Sequence, residues 1–140
     1  MPITAEHEGL TLPKPPPYEV SRAKIVEFAT ALGDNNPAYF DEHPVAPPTF
    51  AAIIAAQAWD VLFGDDRFGL ALNRTIHTDQ RFEFLRPLRP GDVVDAELRI
   101  DKVRGRGPID MVTVAVELTV DGEACAVARS TLMHTREETA

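Results

Sequence analysis

Thr49 to Phe63 is apolar almost all round, and four segments follow it in which apolar residues recur at every second position. This succession constrains the fold more than any other feature of the chain. Thr-Phe-Ala-Ala-Ile-Ile-Ala-Ala-Gln-Ala-Trp-Asp-Val-Leu-Phe shows no polar stripe, so a helix built from it is expected to be enclosed on most sides. Its alanines allow a sheet to wrap closely around it. The alternating segments read as strands with one buried face. In the first, Ile76, Thr78, Gln80, Phe82 and Phe84 alternate with His77, Asp79, Arg81 and Glu83. In the second, Val94, Ala96, Leu98 and Ile100 alternate with Asp95, Glu97, Arg99 and Asp101. Val112, Val114, Val116, Leu118 and Val120 lead to Asp121-Gly122, a type I′ hairpin signal, and the last strand runs from Glu123 to about His134. Arg86-Pro87-Leu88-Arg89-Pro90-Gly91-Asp92 is a turn by composition, and Gly105-Arg106-Gly107-Pro108 breaks the pattern. One enclosed helix and four long antiparallel strands define an α+β domain.

The first half supplies the lead-in. Residues 1–17 contain few large apolar side chains and end in Pro15-Pro16-Pro17, which favours an extended strap or tail. Tyr18-Glu19-Val20 suits a short strand. Ser21 suits a helix N-cap, Ile25, Phe28, Ala29 and Leu32 follow at helical spacing, and Gly33 is the stop. Asp34 to Pro48 carries Pro37, Pro44, Pro47 and Pro48 and reads as an irregular loop. A single domain over 18–135 is expected, with a frayed tail at 136–140.

Composition removes several function classes. A chain of 140 residues buries roughly two-thirds of its unfolded surface without staples. Its net charge of −8 disfavours nucleic acid and anionic lipid as partners. Cys125 is the only cysteine, which excludes a disulfide framework and a thiolate metal site. The histidines (His7, His43, His77 and His134) are scattered without ligand spacing, so neither a metal nor another cofactor is expected. Ser21 and Ser130 lack a nucleophile elbow. No apolar run reaches the ~20 residues that span a bilayer, and a soluble cytoplasmic protein is expected.

Three motifs carry a resemblance. Gly33-Asp34-Asn35-Asn36-Pro37-Ala38-Tyr39 follows a G-D-x-N-P-x-H pattern up to its last position. Val45-Ala46-Pro47-Pro48-Thr49-Phe50 opens the central helix, and Gln80 to Asp92 follows Q-R-F-x-[FY]-x-R-P-[LV]-R-x-G-D. From Tyr18 to Thr135 the chain resembles the MaoC-like (R)-specific enoyl hydratase/(3R)-hydroxyacyl dehydratase family. It is most similar to the N-terminal, FAS1-like dehydratase domain. The resemblance implies a hot-dog fold, an antiparallel sheet wrapped around a central helix, and an acyl-CoA or acyl carrier protein thioester as substrate. It also implies a homodimer, or a heterodimer with a catalytic MaoC-like subunit.

In that family the Asp and the His of the loop share one water and add it across a double bond, and an amide at the helix start holds the developing enolate. Asp34 matches the Asp, but Tyr39 stands at the His position. A phenol titrates near ~10 and an imidazole near ~6.5, so at neutral pH only the imidazole both takes and returns a proton. Pro47-Pro48 occupies the amide position, and proline has no N–H; the Thr49 amide is the remaining donor. The resemblance therefore implies Asp34 as a residue of a degenerate catalytic motif, with Asn36, Tyr39, Pro48, Thr49 and Phe50 as the substrate-binding set. Three readings stay open. One is an acyl-binding subunit that needs a catalytic partner. Another is a non-enzymatic homodimeric acyl-thioester-binding or structural protein. The third is a self-sufficient hydratase using Asp34 with a displaced His43. Asp34 also reads as a plain turn residue.

Overall fold

The computed structural model describes residues 2–138, so the last two residues of the expected C-terminal tail lie outside the described residues. Its elements are β1 (Tyr18–Glu19), α1 (Arg22–Leu32), α2 (Ala51–Phe63), β2 (Thr75–Phe84), β3 (Val93–Arg106), β4 (Ile109–Val120) and β5 (Glu123–Thr135). The strands form one antiparallel sheet in the order β1-β3-β4-β5-β2, curled around α2. This is the hot-dog fold.

Local chemistry sets the boundaries. The Ser21 side chain accepts from the Lys24 N–H at 3.1 Å and starts α1. Gly33 ends it at φ 70°, a left-handed conformation that glycine adopts without steric cost. At the β4–β5 hairpin Asp121 (φ 51°) and Gly122 (φ 79°) are both left-handed, as a type I′ turn requires.

The core lies between the concave face of the sheet and α2. Ala51, Ile54, Ala55, Ala58 and Leu62 of the helix are buried against Leu98, Ile100, Val114, Val116 and Leu132 of the strands. Enclosure of α2 is less complete than its composition predicts. Ala56 and Asp60 are exposed and Trp59 is half-buried, its ring edge-on to His77 of β2 at 4.9 Å. Leu32, expected on the apolar face of α1, is 53% exposed, because α1 buries only Ile25 and Ala29 fully.

β2 departs from simple alternation. The β2–β5 register shifts between His77 and Asp79, so Thr78 is the extra residue of a bulge. Each side chain before the bulge is therefore on the opposite face from the one a strict period of two assigns. His77 turns towards Trp59, and Ile76 points outwards at 58% exposure.

The two edges of the sheet differ. Beyond the two-residue β1, the free side of β3 is covered by the N-terminal strap. Gly9 donates to the Ile100 carbonyl (2.7 Å), Ile100 to Leu10 (2.9 Å) and Leu12 to Leu98 (2.9 Å). Ile3 and Leu12 are buried, so these two apolar residues pin a segment whose composition reads as a tail. β2 is the other edge, and among the described residues no strand pairs with its outer side. An unpaired edge of ten residues invites association.

Candidate functional site

The loop after α1 is organised by its own side chains. The Asp34 N–H donates to Ala29 at 3.0 Å and closes the helix end. Asp34 Oδ1 then accepts from the Asn36 N–H at 3.0 Å, and Asn36 Oδ1 from the Ala38 N–H at 3.0 Å. The second bond caps a short 3₁₀ turn, Pro37–Tyr39, which places the Tyr39 ring in the core at 9% exposure. Asp34 is half-buried and Asn36 exposed. Both polar residues thus do turn chemistry in the isolated chain, with one Asp34 oxygen left over.

From Tyr39 the loop returns to the helix start. Val45 donates to Ala38 at 3.0 Å and Ala46 to Leu88 at 2.8 Å, which ties the segment to the turn after β2. Pro48–Phe50 is another 3₁₀ turn leading into α2. The Phe50 N–H donates back to Pro47 at 2.9 Å, and the Ala51 N–H to Pro48 and Thr49. Pro47 and Pro48 offer no donor, so among the described residues the exposed Thr49 carries the one amide here without a backbone acceptor. Thr49 is accordingly the available donor at this helix start. Phe50 itself is fully buried, meeting Phe28 at 5.4 Å and Tyr18 at 6.0 Å edge-on. In the isolated chain it is a core residue and touches no open space.

A cavity of about 350 Å³ opens beside the helix start, lined by Ala46, Pro48, Phe84, Leu85, Arg86 and Pro87. Of the site residues expected from sequence only Pro48 lines it. The strand-end residues Phe84 to Pro87 had a signal that strict alternation ignores. Phe84 and Leu85 are consecutive apolar residues, so one must leave the core, and Leu85 is 77% exposed. The wall is fixed by a fork. Arg86 Nη1 and Nη2 donate to the Asp92 carboxylate at 2.9 and 3.2 Å, and the Arg89 N–H adds a bond of 2.8 Å. Burial works to raise the Asp92 carboxyl, but the Arg86 and Arg89 hydrogen bonds outweigh it and hold the group below the usual carboxylate range.

His43 is exposed and lines a separate small pocket with Arg22, Glu42, Pro44, Arg89 and Pro90. It shares no wall with the cavity and makes no ion pair with Asp34 among the described residues. Likewise, among the described residues no group of histidine, cysteine or carboxylate side chains has the geometry of a metal site. No helix of the described residues is long and apolar enough to cross a membrane.

Residues 7–128 match the family model of the FAS1-like dehydratase domain region. This chain belongs to that family. A UPF0336 protein of Cutibacterium acnes is 50% identical over 139 residues, covering 99% of this chain and 98% of the relative. Among solved structures the family member superimposes on the C-terminally truncated HadBC (3R-hydroxyacyl-ACP dehydratase) complex of Mycobacterium tuberculosis. The TM-score is 0.82 at 31% identity, with 91% of this chain and 96% of the other covered. The R-hydratase PhaJ1 of Pseudomonas aeruginosa shares the fold, with a TM-score of 0.70 at 19% identity over 95% of this chain and 87% of its own. The family member is thus a dehydratase-like hot dog related to hydratase subunits.

Proposed function

We propose that this chain is the acyl-thioester-binding subunit of an (R)-specific 2-enoyl hydratase/(3R)-hydroxyacyl-thioester dehydratase, and that a second MaoC-like subunit carries the complete Asp–His pair. The observation that carries the reading is the state of the degenerate loop. Tyr39, at the motif's histidine position, is buried in the core, and Pro48, at the motif's amide position, lines the cavity. The cavity remains, with mainly apolar walls suited to an acyl chain, while the proton-transfer machinery is incomplete. The displaced-histidine reading loses support because His43 faces a different pocket.

The unpaired edge strand supports a partner seated on β2. The cavity wall begins in Phe84, the last residue of β2, and continues through Leu85. A strand added to β2 would cover Leu85 and Ile76 and wall the open side of the cavity. The related HadBC structure is itself a complex, which agrees with a partner subunit. Light scattering at micromolar concentration should therefore give the mass of a dimer, as two copies or with a catalytic subunit. Calorimetry with a saturated acyl thioester should show binding to that dimer. A sharp monomer with or without a partner, or a dimer with no affinity for acyl thioesters, would remove the reading.

A further inference from the structure

The opposite end of the strands carries a buried polar cluster that the proposed function leaves unused. His134, 2% exposed, lies across from Thr75 of β2 and from Asp110 of β4, itself 4% exposed. Its Nε2 accepts the Ala71 N–H at 3.1 Å. An imidazole that accepts at Nε2 is neutral and keeps its proton on Nδ1. That Nδ1 is buried without a hydrogen-bond partner; Asp110 Oδ2 and Arg136 Nε, also buried without one, form an ion pair at 3.4 Å.

The cluster holds one stretch of chain. The Thr75 hydroxyl donates to the Ala71 carbonyl at 2.7 Å, so both polar groups of the Ala71 backbone are tied, one to His134 and one to β2. Arg74 donates to the Thr135 and Arg136 carbonyls at 2.8 and 2.6 Å. Together these bonds fasten the connection between α2 and β2 to the end of β5, and β2 is the unpaired edge of the sheet.

We propose that His134 is an acid-released latch: a proton on Nε2 removes the acceptor of the Ala71 N–H and loosens the connection that leads into β2. The charged groups facing the ring are Asp110 from β4, Arg74 from the connection and Arg136 beyond β5. Burial is the largest influence and disfavours the imidazolium; Asp110 favours it, and the two guanidiniums oppose it. The ring is held below its ordinary value, which is near ~6.5 in an unfolded chain. With the folded value depressed, the latch is fully closed above about 6.5 and weakens as pH falls towards the folded value.

Hydrogen exchange followed by NMR on the full chain tests the latch. The protection factor of the Ala71 amide should fall by up to about tenfold per pH unit below about 6.5, while that of Val114 in the centre of β4 holds. Ring nitrogen shifts should show Nε2 unprotonated at neutral pH and gaining its proton only further into acid, towards the depressed folded value. His134→Gln keeps an acceptor but cannot titrate, so its Ala71 protection should be flat with pH. Protection that stays flat in the wild type below about 6.5, or that falls equally in H134Q, would overturn the proposal. Should the variant not fold, the ring shifts and Ala71 protection of the wild type decide alone.

Discussion

Phe50→Ala is expected to lower the free energy of unfolding by about 3–5 kcal/mol, the range for removing a buried phenylalanine. The residue is fully buried at the junction of β1, α1 and the start of α2, with edge-on contacts to Tyr18 and Phe28. Such ring pairs add roughly 0.5–1.5 kcal/mol beyond area burial, and alanine leaves a cavity that the rigid Pro47-Pro48 pair before it cannot follow inwards. A small domain is stable by only about 5–15 kcal/mol, so the variant should unfold at a much lower denaturant concentration. Urea titration followed by circular dichroism measures this. A loss below about 1 kcal/mol would mean that the ring faces ligand space, as the motif alone suggests.

The second large effect is a gain. Tyr39→His together with Pro48→Gly should confer measurable hydration of enoyl thioesters on the purified chain. The histidine restores an acid–base partner, a group that contributes roughly 10²–10⁴-fold when positioned. The glycine restores an N–H where the cavity wall now has a proline ring, and one such donor is worth about 3–4 kcal/mol in the transition state. Both parts act on the same transition state, so either change alone should rescue little. Asp34 keeps one oxygen free of its turn bond to Asn36, and Asp34→Asn should abolish the gain. A folded but inert double variant, tried with thioesters of several lengths, would assign Asp34 to the turn alone.

The fold was largely legible because hydrophobic period and cap chemistry agree along most of the chain. Alternation located β2 to β5 within a few residues, although β3 runs on to Arg106, past the point where alternation fades. Ser21, Gly33 and Asp121-Gly122 marked turns whose dihedral angles the structure reproduces. What stayed hidden depends on packing. The bulge at Thr78 reverses Ile76 and His77, and nothing local distinguishes a bulged threonine from a paired one. The strap on β3 is held by backbone hydrogen bonds and by Ile3 and Leu12, two apolar residues in a stretch whose prolines dominate its composition. At the site, the motif named the loop and helix start, but the other cavity walls come from Phe84 to Pro87, joined to Pro48 only by the tertiary fold. The buried His134–Asp110 pair is likewise a product of the β4–β5 register and carries no local pattern.

The proposed subunit binds the acyl thioester and has no complete active site of its own. The rate at which the purified chain hydrates a crotonyl-type thioester, measured alone and with a MaoC-like subunit bearing an intact G-D-x-N-P-x-H loop, tests this. The expected result is turnover at least ~10²-fold below that of active family members for the chain alone, with family-level turnover restored in the two-chain complex. Full turnover by the chain alone would contradict the claim.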